Sequence, residues 1–323
     1  MRAHRRPHVT LHHPASPSQA LLDGGDTVTV FDVALNTKKW EMLLPAASIA
    51  RVRFTAGRVD EDAFVDALVA AAPDAVIHLA GLQVPTCREN PVLGAKVNVI
   101  GTLHIFEAAK RLKATGRAPP AIVYASSAAI FGADADYGEQ AVGDMSTPKP
   151  SSHYGAYKLC TEHAAKAYWV SNQVPSVGLR PLTVYGPGRD MGLTSFPTRA
   201  IAAAIKGQAF DISFSGDTVY TYVEEVADIF VQCAKRAVAD AKVYTIGGDT
   251  VSSAAFVAEI AKHVPAAATL VTVSGSSLPF PSHLDDEALR ADYPGLMRVK
   301  LAEGVARTVA TYKELEAKGT LTV

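Results

Sequence analysis

Tyr154 and Lys158, in the run YGAYK (154–158), stand four residues apart in a stretch with helical periodicity. That spacing puts both side chains on one helix face. An ammonium beside a phenol favours the phenolate and draws the hydroxyl pKa down from about 10. Such a phenol can take the proton of a substrate hydroxyl while hydride leaves the same carbon. Taken alone, the pair also fits a solvated helix face. Its position adds weight: upstream, AIVYASSAAIFG (121–132) carries an apolar strand that ends at Ser126 and Ser127. Strand ends of a doubly wound sheet are where its ligands bind. A serine there can orient a substrate hydroxyl, although it can also serve local backbone groups. Ser127 is the expected third catalytic group and Ser126 a supporting contact to substrate. Gln83 and Arg189 are further substrate candidates.

The elements that must position these residues follow from periodicity. TVTVFD (27–32), RVRFTAG (51–57), DAVIHLAG (74–81), AIVYASS (121–127) and SVGLRPLTVYG (176–186) read as strands. Their continuous apolar character suits a parallel sheet covered on both faces. Between them, residues 60–72, 98–112 and 151–168 read as helices, the last capped by Ser151 or Ser152. The alternation predicts an α/β fold, a Rossmann-type doubly wound parallel sheet. After Gly186 comes a looser pattern: an Ala-rich helix (197–207), a strand-turn region, a helix from Glu224, a returning strand (243–248), and helices near 253–263, 285–291 and 301–317. Residues 1–180 are the expected nucleotide-binding domain, with 208–250 partly returning to its sheet. Residues 181–323 form the expected discontinuous substrate lobe.

With 48% hydrophobic and 20% charged residues and a net charge of -1, the composition points to neither nucleic acid nor a membrane as partner. No segment approaches membrane-spanning length on hydropathy. Three separated cysteines, Cys87, Cys160 and Cys233, suggest a reducing, cytoplasmic setting and no metal site. His4, His8 and His12 have helical spacing, but Pro7 and Pro14 oppose a helix there.

In this order and spacing, VFD (30–32), DAVIHLAG (74–81), NVIGTLHIFEAAK (98–110), VYASSAAIFG (123–132), YGAYK (154–158), LRPLTVYGPG (179–188) and YVEEVAD (222–228) resemble the extended short-chain dehydrogenase/reductase family, in its NAD-dependent epimerase/dehydratase branch. The resemblance implies Tyr154 as general acid/base, Lys158 as the group that lowers its pKa and holds the nicotinamide ribose, and Ser127 as their partner. It further implies that Asn98, Leu79, Ala80, Gly81, Ala125, Pro181 and Val184 line the cofactor. Asp32, with Val33 beside it, would hold the adenosine ribose, and its charge would favour NAD over NADP; as a residue after a strand, Asp32 also fits a turn role. Family members often pair through the helices near 98–112 and 153–170, so a homodimer is expected, with Ala164, Ala165 and Ala167 permitting close approach.

The departures are informative. Arg58 stands where the family usually has an adenine-contacting acid. Thr218 falls near the place of an arginine that sugar-nucleotide members use to grip the diphosphate. Most of all, residues 1–23 hold no glycine, so the Gly-rich phosphate turn is missing. Residues 1–20 have the length of the first strand and its turn but not their content, and the pattern recovers abruptly at ALLDGG (20–25). A shifted reading frame would leave that signature; the segment reads as an anomalous stretch that replaces the first strand and its Gly-rich turn, rather than as a leader. As written, side chains and prolines in place of glycines would block backbone approach to a pyrophosphate, so weak NAD binding is expected.

Three functions fit. The first is an NAD-dependent oxidoreductase or epimerase acting on a carbinol of a sugar or sugar-acid-like substrate. The second is a nucleotide-sugar 4-epimerase. The third, of another class, is a non-catalytic binding protein that keeps the fold.

Overall fold

The computed structural model describes residues 8–11, 15–35, 37–138, 140–236 and 238–322. They cluster into two compact units. One holds the chain up to Ser127 with Ser152–Arg180 and Ala227–Tyr244; the other holds Ala128–Ser151, Pro181–Val226 and Thr245 onward.

In the first unit, β1 (His8–Leu11) leads through α1 (Ala15–Asp23) to β2 (Thr27–Asp32), β3 (Arg53–Ala56), α2 (Asp62–Ala71) and β4 (Ala75–His78). Then come α3 (Val84–Glu89), a π-helical turn (Lys96–Ile100) running into α4 (Gly101–Ala114), β5 (Ala121–Ala125), α5 (His153–Asn172) and β6 (Ser176–Arg180). A seventh strand, Ala241–Thr245, closes one edge, in the order Ala241–Thr245, β6, β5, β4, β1, β2, β3. The strand order reverses at β1, which pairs in parallel with both β2 and β4. In such a sheet the crevice at the carboxyl ends of the two strands flanking that reversal is the ligand site.

The expectation that residues 1–20 replace the first strand is therefore corrected: His8–Leu11 supply the central strand. His8 opens that strand, which excludes a helical His4–His8–His12 face, and His4 and His12 lie outside the described residues. Residues 12–14, where the phosphate turn would be, also lie outside them.

Tight packing seats the helices on the sheet. Phe31 meets Phe64 of α2 at 4.5 Å between ring centroids, and Phe106 of α4 stacks on Tyr168 of α5 at 5.0 Å. Ile105 and Phe106 are fully buried in this core, each worth roughly 1.5–3 kcal/mol of apolar burial. Ala165, expected on a dimer face, belongs to the same core instead, because α5 turns that side toward β5 and α4. Pro91–Ala114 forms a continuous helical run of 24 residues with mean hydropathy 1.2. By length and composition it could cross a membrane, contrary to the expectation that nothing approaches that length. Its apolar side (Ile105, Phe106, Ala108, Ala109, Leu112) is buried inside this unit.

The stretch 176–186, expected as one strand, is two. Pro181 has no amide hydrogen to continue a ladder, and the chain leaves β6 at Arg180 to start Thr183–Tyr185 in a separate sheet. That sheet, in the second unit, joins Thr183–Tyr185 to Asp217–Tyr222 and Asp249–Ser252. Phe210–Ile212 pairs with Val271–Val273. Helices Phe196–Ile205, Ser253–His263 and Leu301–Ala317 complete the unit, close to the ranges expected from sequence.

Candidate active site

Helix α5 begins where the sequence places its cap: the Ser152 side chain accepts the Gly155 amide hydrogen at 3.1 Å. One turn in, Tyr154 and Lys158 share a face. The Lys158 Nζ lies 5.6 Å from the centroid of the Tyr154 ring. It donates to the Ala125 carbonyl at 2.6 Å, which ties it to the carboxyl end of β5. Ser127 follows two residues later and is buried in the same unit. Lys158 is only 4% exposed. Burial pushes its pKa down to about 8, against upward pulls from Cys87 and Glu162.

Asn98 builds the other wall. It is fully buried in the π-helical turn, a local widening found often at functional sites. Its Oδ1 accepts from the Leu82 amide at 3.0 Å, and its Nδ2 donates to the Leu82 carbonyl at 3.1 Å and to Cys87 Sγ at 3.2 Å. Every amide hydrogen of Asn98 is thereby used, which fixes its orientation. The clamp holds the chain just past β4, where Leu79, Ala80, Gly81 and Gln83 are half-buried and Gln83 immediately precedes α3. Gly81 is required there: a Cβ would stand 2.7 Å from Asn98 Oδ1 and 3.3 Å from Lys158 Nζ. Behind Asn98, Thr102 Oγ1 donates to the Asn98 carbonyl at 2.7 Å. With that hydrogen committed, His78 Nε2 is the donor in its 3.1 Å contact to Thr102, so the ring carries its proton on Nε2.

Asp32 ends β2, next to β1, and accepts the Val33 amide hydrogen at 2.7 Å; Val33 itself is exposed. Arg58 pairs with Asp60 at 2.8 Å.

Ser126 departs from expectation. Its hydroxyl donates to Glu162, one turn beyond Lys158 on α5, and Glu162 is held bidentately by Arg180 of β6 at 2.8 and 2.7 Å. Ser126 is thus committed to a buried ion pair rather than turned to substrate. Cys87, Glu162 and Arg180 escaped the sequence reading. A charged residue on the buried side of α5, facing an arginine inside the apolar run SVGLR, was the available sign.

Three candidates belong to the second unit. Pro181 accepts the Ala128 amide hydrogen at 3.0 Å, Val184 is half-buried, and Arg189 donates to Thr194 Oγ1 at 3.2 Å. Thr218 is buried on its strand with its hydroxyl 3.2 Å from that of Thr183, a neutral internal contact.

The first unit fits a nicotinamide nucleotide on its own geometry. A buried lysine beside a tyrosine, a glycine position that any side chain would fill, and an acid at the end of β2 that can accept from ribose hydroxyls are the groups that suit it. Among the described residues no cluster suited to a metal ion occurs.

Comparison with known proteins agrees. The profile of a family described as the NAD dependent epimerase/dehydratase family matches residues 18–247, beginning near the end of the glycine-free segment. Protein CapI of Staphylococcus aureus is 30% identical over 197 residues, 58% of this chain and 56% of that protein. A UDP-glucose 4-epimerase of Mycolicibacterium smegmatis is 28% identical over 219 residues, 66% of each. The chain therefore spans between half and two thirds of the length of these relatives. Among solved structures, the Thermus thermophilus UDP-glucose 4-epimerase in complex with NAD superimposes with a TM-score of 0.80 at 24% identity, covering 95% of this chain and 99% of that one. An L-threonine dehydrogenase of Clostridium difficile gives 0.82 at 16% identity, covering 97% and 99%. At these identities the structural likeness establishes the fold.

Proposed function

Since the chain belongs to the NAD dependent epimerase/dehydratase family, we propose that it is an oxidoreductase or epimerase acting on a carbinol carbon of a sugar or sugar-acid-like substrate. The observation that carries this reading is Lys158, buried, anchored on Ala125 and set over the Tyr154 ring. NAD, when bound, supplies the acceptor and donor of hydride. Lys158, Asn98, Gly81, Leu79, Ala80 and Ala125 would hold its nicotinamide side, and Asp32 and Val33 its adenosine ribose. The Tyr154 hydroxyl oxygen takes the proton of the substrate hydroxyl, and the Lys158 ammonium favours the phenolate that does so. Ser127 Oγ orients the substrate oxygen. An epimerase returns the hydride to the opposite face of the carbon; a dehydrogenase releases a ketone.

A nucleotide-sugar 4-epimerase is the narrower form of this reading, supported by the 4-epimerases among the relatives and opposed by Thr218. A non-catalytic binding protein is the rival, favoured by the glycine-free segment before Gly24. A thermal-shift screen with NAD, NADP, UDP-sugars and sugar acids, followed by NADH absorbance with each binder, separates them. Net NADH indicates a dehydrogenase, and interconversion without net NADH an epimerase. Binding of a sugar nucleotide with no turnover under saturating NAD would sink the catalytic reading.

We further infer a cytoplasmic enzyme, from three cysteines none of which forms a disulfide among the described residues, and a homodimer. Val92, Ile100 and Val170 of the first unit are exposed and apolar, Val92 by 68% and Val170 by 66%, and they supply the contact surface that Ala165 does not.

A further inference from the structure

Ala125 and Ser126 are consecutive, and each holds one turn of α5. The Ala125 carbonyl takes the Lys158 ammonium, while the Ser126 hydroxyl donates to Glu162 four residues further along. Arg180 completes the arrangement with two nearly parallel hydrogen bonds to the Glu162 carboxylate. Glu162 and Arg180 are both almost fully buried. A buried ion pair adds little net stability, because desolvation offsets most of its attraction. Its position beside Lys158 calls for another account.

We propose that Glu162 is a positioning residue for Lys158: pinned by Ser126 and Arg180, its carboxylate holds the ammonium on the Ala125 carbonyl and keeps it protonated. Lys158 gains its importance from the function proposed above, but its electrostatic relation to Glu162 stands apart from that function.

The groups around Lys158 leave Glu162 as the source of lasting negative charge. Cys87 approaches from α3, and burial pushes its thiol up, so it stays neutral near neutral pH. Tyr154 lies on α5 itself, Asn98 on the π-helical turn is uncharged, and His78 on β4 is engaged with Thr102. Burial, and then the charge of Glu162, push the Tyr124 phenol on β5 well up against the opposing pull of Arg180, so it stays neutral. Arg180 on β6 spends its charge on Glu162.

The test uses the full chain labelled with carbon-13 at lysine Cε, without nucleotide or substrate, so it reads out even from a chain that fails every activity assay. The Lys158 signal, assigned by its loss in Lys158→Arg, titrates near 8 in the unaltered protein. Glu162→Gln lowers that midpoint by roughly half a unit or more. Glu162→Asp, which keeps the charge, holds it close to the unaltered value. Glu162→Gln leaves Arg180 buried without a counter-charge and can unfold the chain, so Glu162→Gln with Arg180→Met is titrated alongside and should also move down. An unchanged midpoint in a folded Gln variant overturns the proposal. A fall in Glu162→Asp as large as in the Gln variants also overturns it, since packing rather than charge would then be the cause.

Discussion

Gly81 and Asn98 are packed so closely that a methyl group on Gly81 would stand 2.7 Å from Asn98 Oδ1. Gly81→Ala must therefore push Asn98 off the Leu82 backbone, and it should destabilise the chain by about 1–3 kcal/mol. Urea unfolding would register this as a lower midpoint with an unchanged slope. Adding Asn98→Ala should recover part of the loss, because the two changes meet in one contact. Strict additivity would show that the clamp does not exist.

Lys158 gives a prediction with a definite sign. Its folded pKa lies near 8, below the ordinary 10.5. Between those values the unfolded chain binds a proton that the folded chain has lost, so this group makes stability rise with pH across that window. Below it the cost of the buried charge is present in full, on the order of 3 kcal/mol. Lys158→Met removes that cost along with the bond to Ala125. Denaturant unfolding should show the variant more stable near pH 7, with its advantage shrinking as pH climbs through the lysine range. An advantage that grows with pH would contradict the burial of this charge.

Tyr154→Phe keeps the ring beneath the ammonium and deletes the hydroxyl. Turnover of any substrate found in the screen should fall by roughly 10²–10⁴-fold with KM little changed. Ser127→Ala should fall less. Equal activity in the Phe variant would move the proton chemistry elsewhere.

Cofactor affinity is where the chain should differ from its relatives. His12, His13 and Pro14 stand between β1 and α1, in place of a glycine turn that would let amides approach a pyrophosphate. Calorimetric titration should show NAD binding weaker than micromolar. Micromolar affinity would mean that a turn without glycine can do the same work.

Val170→Glu places a charge on the exposed apolar part of α5. If the protein pairs through this helix, light scattering should report a monomer for the variant and a dimer for the unaltered chain, with the same far-ultraviolet spectrum. Identical masses would remove this face from the assembly.

Much of this arrangement was readable from residues alone. The Tyr154–Lys158 face, its Ser152 cap and the strand leading to Ser127 follow from apolar periodicity and cap chemistry, which act over a few residues. What escaped depends on longer range or on subtler geometry. The partner of Ser126 is 36 residues away, and only the folded sheet brings Glu162 and Arg180 to it. The π-helical turn under Asn98 is one residue of extra backbone with no compositional mark. His8–Leu11 is too short to announce itself as a strand, and Pro181 divides an apolar run whose two parts look alike until each finds its own sheet.

The placement of His8–Leu11 has a further consequence. A sheet that frays at its margin loses one strand and stays a sheet. Here the shortest-announced strand sits in the middle, paired on both sides, so its release would part the sheet into a two-strand and a four-strand half. Each half would then bare a row of amide and carbonyl groups to any passing copy of the chain. These four residues thus act as the seam of the whole sheet, and while they stay shut neither inner edge is open to pairing with another copy.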